Sequence, residues 1–102
     1  MNAENSGLNG KQKRYLRGLG NRLEAKVVVG HGGLSDNCIE NLKGFLKKEE
    51  IVKVRLKPAC GLECKEVSLE LCKKTGAETV QIFGKTILLF LKNSENSTIK
   101  LP

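Results

Sequence analysis

The stretch Lys26-Val-Val-Val-Gly-His-Gly-Gly-Leu-Ser35 organises the rest of this 102-residue chain. Its three consecutive valines predict a short buried strand, and three glycines within the next four positions end that strand. Ser35 is a favourable N-cap residue, and the apolar side chains that follow it recur at helical spacing. A strand, a glycine loop and a helix N-terminus together suit a phosphate, because backbone N–H groups and the positive end of the helix dipole face the loop. We therefore expect this loop to hold a nucleic-acid backbone.

The length and charge of the chain restrict what it can be. At this length there is room for one domain with one modest hydrophobic core. Eighteen Lys and Arg against eleven Asp and Glu give a net charge of +7. Clustered cations gain affinity for polyanions by releasing condensed counterions, although a basic surplus also serves solubility. The sequence contains no apolar run that could span a bilayer and no signal-peptide hydrophobic region, so we expect a cytoplasmic protein that does not associate with membranes.

Hydrophobic periodicity predicts seven elements in the order α-β-α-β-α-β-β. They are a helix capped by Asn9 and running to about Leu19, a strand over 27–29, a helix from about Asp36 to Lys48, a strand over 51–57, a helix from about Leu62 to Lys74, and strands over 79–83 and 86–91. Gly20 is expected to end the first helix as its C′ residue. Strands linked by helices run parallel and the last two form an antiparallel hairpin, so the pattern predicts a single α/β (α+β) domain with a four-stranded mixed sheet.

The strands differ in how much of their surface is apolar. Strands 27–29 and 87–91 are apolar on both sides, which predicts that both of their faces are covered, the second by the first helix. Lys53, Arg55 and Lys57 instead alternate with apolar residues, so the sheet should be partly open on their side. Residues 1–8 are predicted to be a flexible arm, 9–92 the folded domain, and 93–102 a C-terminal tail that is mobile or bound at a sheet edge.

The four cysteines do not predict a metal site or a disulfide framework. Without a secretion signal, reduced thiols are expected, and Cys38 and Cys72 fall on apolar stripes of helices. Cys60-x3-Cys64 has the spacing of zinc ligands, but the single histidine, His31, lies far away in the glycine loop. We therefore expect neither a metal nor a cofactor.

Two glycine motifs resemble nucleotide-binding sequences without meeting their requirements. Gly84-Lys85-Thr86 matches the end of a P-loop, but Thr79 stands where that motif requires glycine, and the triplet lies between two strands. Gly30-x-Gly32 begins like a dinucleotide fingerprint, but Ser35 occupies the third glycine position. No nucleophile with a convergent acid–base pair is visible, so the chain is not expected to be an enzyme.

Gly30-His31-Gly32-Gly33 fits the G-x-x-G pattern, which in KH-type modules clamps a nucleic-acid backbone against a helix end. His31 either contacts RNA, by donating to phosphate or by stacking, or is an ordinary exposed loop residue. One Tyr, three Phe and no Trp argue against an aromatic base-stacking platform. The predicted contacts are Gly30, His31, Gly32 and Gly33 in the loop, Lys11, Lys13, Arg14 and Arg17 on the first helix, and Lys53, Arg55 and Lys85 beyond them.

The chain resembles a stand-alone CRM domain (chloroplast RNA splicing and ribosome maturation) of the bacterial YhbY type over residues 11–91. The similar blocks are Lys11-Gln-Lys-Arg-Tyr-Leu-Arg-Gly-Leu19, Val28-Val-Gly-His-Gly-Gly-Leu-Ser35, Ile51-Val-Lys-Val54, Lys74-Thr-Gly-Ala77 and Val80-Gln-Ile-Phe-Gly-Lys-Thr-Ile-Leu-Leu-Phe90. The resemblance implies an open-faced fold like the C-terminal domain of the third bacterial translation initiation factor. It also implies RNA binding and, for single-domain members, association with precursors of the large ribosomal subunit.

The resemblance transfers two family features onto this sequence. The family's G-x-x-G loop corresponds to residues 30–33, with His31 where many members have a longer or more basic residue, and its basic helix corresponds to residues 11–17. The favoured hypothesis is a monomeric, non-enzymatic protein that binds ribosomal RNA in precursors of the large subunit and assists their assembly. The alternative is a DNA or chromatin architectural protein of similar fold.

Overall fold

The computed structural model describes residues 8–31, 33–92, 99 and 101, and it confirms the predicted order of elements. The helices are α1 (Gly10–Gly20), α2 (Asp36–Glu49) and α3 (Cys64–Thr75), with a short 3-10 helix over Pro58–Cys60. The strands are β1 (Val27–Val29), β2 (Ile51–Leu56), β3 (Glu78–Phe83) and β4 (Thr86–Phe90). Among the described residues, no helix is long and apolar enough to cross a membrane.

The four strands form one mixed sheet in the order β1-β2-β4-β3. β1 and β2 are parallel, and β4 is antiparallel to both β2 and β3. One row of aligned residues crosses the whole sheet, because Val28 is opposite Arg55, Arg55 opposite Thr86, and Thr86 opposite Phe83. Residues aligned in this way project from the same face of a sheet.

The larger part of the core lies between one face of the sheet and helices α2 and α3. Val29, Val54 and Ile87 from the sheet pack with Leu42 of α2 and Leu71 of α3 in one buried cluster. All four cysteines belong to this cluster or pack against it, as the apolar stripes predict for Cys38 and Cys72, and all four are free thiols.

Helix α1 covers part of the opposite face, as predicted. Leu16 of α1 is fully buried in a second cluster with Ile51, Val80, Leu88 and Phe90. Leu8, which the sequence places in the N-terminal arm, packs against this cluster, and so do Ile99 and Leu101 from the tail. The rest of the arm, residues 1–7, and tail positions 93–98, 100 and 102 lie outside the described residues.

The N-terminal end of α1 follows the sequence prediction and its C-terminal end does not. The Asn9 side chain accepts a hydrogen bond from the Gln12 amide (2.8 Å), and the Gln12 side chain accepts one from the Asn9 amide (3.1 Å), which makes a capping box. Gly20 is not the C′ residue of the helix. It is the last helical residue, buried against Leu88, and Asn21 caps the helix in a right-handed conformation.

The prediction that both faces of β1 are covered is wrong. Val27 and Val29 are buried, but Val28 between them is 46% exposed. The reason is that α1 contacts β2 and β3, whereas β1 is the edge strand on the far side of β2. This part of the sheet face is open, and the exposed Arg55 extends it as the alternating pattern of β2 predicts.

A buried glutamate connects the sheet to the C-terminal tail. Glu50, between α2 and β2, has no exposed surface and a positive φ of 68°. Its carbonyl oxygen accepts a hydrogen bond from the Leu91 amide (2.8 Å), and its Oε1 accepts one from the Ile99 amide (2.9 Å). Ile99 therefore lies close to the junction of α2 and β2.

Candidate nucleic-acid interface

The glycine loop after β1 is a closed turn. The Gly33 amide donates to the Gly30 carbonyl oxygen (3.1 Å). Gly33 has a φ of 75°, a backbone conformation that is strained for every residue except glycine. A Cβ atom on Gly33 would also lie 3.1 Å from Cδ1 of Leu62. His31 is exposed at the tip of the turn, and Gly32 lies outside the described residues. The turn thus requires glycine at position 33.

This closure reduces the number of backbone donors that the loop can offer to a phosphate. The Gly33 amide is used within the turn, and the Cys38 amide donates to Oγ of Ser35 (3.2 Å). In the first turn of α2, the amides of Asp36 and Asn37 have no acceptor within the helix and can donate to an anion. Asp36 also places a carboxylate at this helix end, where it competes with a bound anion for the positive end of the dipole.

Two lysines lie at the same end of the sheet as the glycine loop. The Lys57 amide donates to the Val29 carbonyl oxygen (2.8 Å), and a Cβ atom on Gly30 would lie 3.8 Å from Cδ of Lys57. The carbonyl oxygen of Lys85, in the turn between β3 and β4, accepts from the Leu56 amide (2.8 Å). Lys57 is not among the predicted contacts, although its position directly after a strand parallel to β1 could have indicated it.

The four predicted cations of α1 lie on one side of the helix. Lys11 and Arg14 are exposed, and Lys13 and Arg17 are half-buried beside the stripe that packs on the sheet. No acidic residue occurs in α1. The helix therefore presents a continuous basic surface, named here the α1 basic face and consisting of Lys11, Lys13, Arg14 and Arg17.

Lys13, a member of the α1 basic face, lies near the carboxyl of Glu78. Burial raises the pKa of the Glu78 carboxyl at the start of β3, and the positive charge of Lys13 opposes that shift. Oε2 of Glu78 is buried and has no hydrogen-bond partner among the residues that the structure describes. Lys13 thus interacts electrostatically with the Glu78 carboxyl. The other three cations of the α1 basic face are therefore the stronger candidates for RNA contact.

The predicted contacts on β2 have different surroundings. Nζ of Lys53 donates to the carbonyl oxygen of Leu23 (3.1 Å), so this lysine holds the segment that follows α1. Arg55 is exposed on the open face, in the row that includes Val28 and Thr86. Arg55 is therefore accessible to a ligand, whereas the ammonium group of Lys53 already makes a hydrogen bond within the fold.

The open face also carries an aromatic side chain that the sequence analysis missed. Phe83, the last residue of β3, is 75% exposed. It lines a cavity with Gly20 and Asn21 at the end of α1 and with Lys53, Gln81 and Thr86 on the sheet. The small number of aromatics in the sequence argues against a base-stacking platform, and Phe83 nevertheless exposes its ring on the open face. The register of the β3–β4 hairpin could have indicated the face on which Phe83 lies.

The described residues contain no group of three or more His, Cys, Asp or Glu side chains placed to hold a metal ion. The chemistry of this surface consists of cations, backbone amides and the exposed ring of Phe83. Together with the fold, these features define a small open-faced α+β domain with a glycine-loop turn at one end of its sheet and a basic helix across one face.

The chain belongs to the CRS1/YhbY (CRM) domain family, whose model matches residues 8–90. It is 37% identical over 95 residues to the probable RNA-binding protein YqeI of Bacillus subtilis, covering 93% of this chain and 99% of that protein. It is 31% identical over 96 residues to a Haemophilus influenzae protein named RNA-binding protein, covering 93% of this chain and 95% of the relative.

A plant protein and a solved structure are also similar to this chain. A rice chloroplast protein named CRS2-associated factor 1 is 28% identical over 75 residues, which are 74% of this chain and 11% of that protein. The solution structure of a hypothetical protein from Staphylococcus aureus superimposes with a TM-score of 0.78 at 34% sequence identity, covering 93% of this chain and 99% of that one. The similarity confirms the predicted family and its α+β fold with a four-stranded mixed sheet.

Proposed function

We propose that this chain is a non-enzymatic RNA-binding protein that holds an RNA backbone with the α1 basic face and the glycine loop. Its proposed ligand is ribosomal RNA in precursors of the large subunit, whose assembly it assists. In this proposal the protein acts in the cytoplasm as a monomer and needs no cofactor.

The α1 basic face is the observation that carries the proposal. Exposed helices usually mix positive and negative side chains, whereas this helix has four cations and no carboxylate. Lys11 and Arg14 project into solvent and Arg17 continues the same side of the helix. Such a surface attracts phosphates of any sequence and releases their counterions, which provides affinity and on-rate.

The glycine loop adds a second point of contact at the end of the sheet. Gly30 and Gly33 have no side chains, so a nucleic-acid backbone can approach the main chain of the loop closely. Lys57 and Lys85 add positive charge beside it. The loop positions the RNA, and the α1 basic face supplies most of the electrostatic attraction.

Relatives support RNA as the ligand, and the resemblance to one type of family member is the reason to favour ribosomal RNA. Two bacterial proteins that match this chain over almost their whole length are named RNA-binding proteins. The resemblance to single-domain YhbY-type proteins implies an association with large-subunit precursors. This is the support for the ribosomal part of the proposal.

The proposal is tested by measuring the affinity of the protein for single-stranded RNA as a function of salt concentration. Arg14→Gln removes one exposed cation from the α1 basic face, and Lys48→Gln removes one exposed cation from α2, on the other side of the sheet. Arg14→Gln should weaken binding and reduce the slope of log K against log salt by about 0.7. Lys48→Gln should leave the slope unchanged. Equal effects of the two substitutions would contradict the assignment of the surface.

The loop is tested in the same assay with two substitutions at one position. Gly30 has an ordinary φ, and a Cβ atom there would make an ordinary contact with Cδ of Lys57 at 3.8 Å, so the fold should tolerate both variants. Gly30→Asp places a negative charge against the RNA backbone, and Gly30→Asn has nearly the same shape without the charge. We expect Gly30→Asp to bind RNA about tenfold more weakly than Gly30→Asn. If the two variants bind alike, the loop does not contact phosphate.

A further inference from the structure

The part of the sheet face that α1 leaves uncovered combines exposed apolar surface with positive charge. Val28, Arg55, Thr86 and Phe83 lie in one row across all four strands and project from the same face. Val28 is 46% exposed and Phe83 is 75% exposed. The exposed Phe83 ring lines a cavity on this face, and apolar surface rimmed by polar side chains is typical of a ligand-binding groove.

The cavity beside Phe83 has the chemistry of a base-binding site. Phe83 and Leu88 contribute apolar side chains to its lining. The amides of Asn21 and Gln81 and the hydroxyl of Thr86 line the same cavity, and these groups can donate to and accept from the edge of a base. Arg55 is next to Thr86 in the row, where its guanidinium can reach a phosphate.

We propose that this cavity binds one unpaired base of single-stranded RNA, with the base stacked on Phe83 and the adjoining phosphate held by Arg55. The inference rests on the proposed function, because it defines which form of RNA the protein prefers. It adds a base-contacting site to the backbone contacts made by the α1 basic face and the glycine loop. Single strands and loops are accessible to such a site, whereas paired bases within a duplex are not.

Charge favours a nucleotide over a second copy of this chain as the occupant. A symmetric dimer through this face would bring the same patch of both subunits together, including Arg55 and Lys53 of each. No acidic side chain lines the cavity to compensate for these cations. A nucleotide brings a negative phosphate and an aromatic base, which complement both features of the patch.

A tryptophan at position 83 makes the site directly observable, because the chain contains no Trp. Phe83→Trp keeps an aromatic ring for stacking, and its fluorescence reports only on this cavity. Ile82→Trp is the matched control: Ile82 is the neighbouring residue, is 40% exposed, and projects from the opposite face. Both full-length variants are titrated with an oligoadenylate of about twelve nucleotides, and separately with an RNA duplex of similar length.

The expected result is strong quenching of the Phe83→Trp fluorescence by oligoadenylate, little quenching by the duplex, and little quenching of Ile82→Trp by either. In a separate binding assay, Phe83→Leu, which removes the ring and keeps the site apolar, should bind the single strand at least about fivefold more weakly than the parent.

Other results would overturn the inference, and they distinguish it from the proposed function. If the parent binds no RNA, both fail. If the parent binds RNA but Phe83→Trp is not quenched and Phe83→Leu binds like the parent, the base site fails and the proposed function stands. If the parent self-associates and Phe83→Leu abolishes that association without affecting RNA binding, a second copy is the occupant and the base site is refuted.

Discussion

Gly20 of α1 packs so closely on Leu88 of β4 that a Cβ atom on Gly20 would lie 2.5 Å from Cδ2 of Leu88. Leu88 is only 3% exposed and belongs to the second buried cluster. The contact fixes the end of α1 against the sheet, and the cavity beside Phe83 begins at this point. The absence of a side chain at position 20 therefore determines where the helix lies.

Gly20→Ala should destabilise the protein, because the new methyl group must displace a buried leucine. Overpacking of this kind costs about 1–3 kcal/mol, which exceeds the gain in helix propensity of about 1 kcal/mol. Gly18→Ala, in the same helix, is the control, since nothing lies within 4 Å of a Cβ atom there. It should stabilise the protein by about 0.5–1 kcal/mol. Urea denaturation of both variants measures the difference, and equal stabilities would contradict the close contact.

Glu78 should make the stability of the protein depend on pH. Burial raises the pKa of its carboxyl in the folded state, so Glu78 favours the folded state while it is protonated and loses that contribution as pH rises through the raised pKa. Glu78→Gln should therefore be more stable than the parent near about pH 7, with the advantage vanishing below about pH 4. Urea denaturation at both pH values measures this. An advantage that is independent of pH would show that the charge is not responsible.

The Glu50 side chain should hold the C-terminal tail against the domain. Glu50→Gln keeps an acceptor for the Ile99 amide and should have a small effect, whereas Glu50→Ala removes the acceptor and leaves a gap in a fully buried site. We expect Glu50→Ala to cost about 1–3 kcal/mol of stability and to accelerate hydrogen exchange at the Ile99 amide. Unchanged exchange at Ile99 in Glu50→Ala would contradict this role.

Asp36 should weaken the binding of RNA at the glycine loop. Its carboxylate lies in the first turn of α2, where it competes with a phosphate for the helix N-terminus. Asp36→Asn should tighten RNA binding about two- to fivefold at low salt. Glu49→Gln makes the same change in net charge at the other end of the same helix, about 20 Å away, and should have little effect. If both variants tighten binding equally, only net charge matters and α2 does not face the RNA.

Features encoded by local periodicity and capping could be predicted from the sequence. The Asn9 cap, the helix from Asp36, the alternation of β2 and the β3–β4 hairpin each depend on residues that are close in the chain. These features were sufficient to predict the element order and the mixed sheet. They also placed the glycine loop between β1 and α2.

The remaining features depend on contacts between distant residues. Gly20 has the sequence position of a helix stop, and only its contact with Leu88 explains why it is helical and buried. Val28 is exposed because the strand order places β1 beyond the reach of α1. Phe83 belongs to a site only because the end of α1 lies beside the β3–β4 hairpin.

The central claim is that the glycine loop and the α1 basic face hold ribosomal RNA, and the most direct measurement is crosslinking in cells. Ultraviolet crosslinking of the full-length protein, followed by sequencing of the attached nucleic acid, is performed for the parent, Gly30→Asp and Gly30→Asn. The account predicts crosslinks concentrated on large-subunit ribosomal RNA, retained in Gly30→Asn and strongly reduced in Gly30→Asp. Scattered or DNA-derived crosslinks that do not differ between the two variants would contradict it and would favour a DNA or chromatin architectural protein.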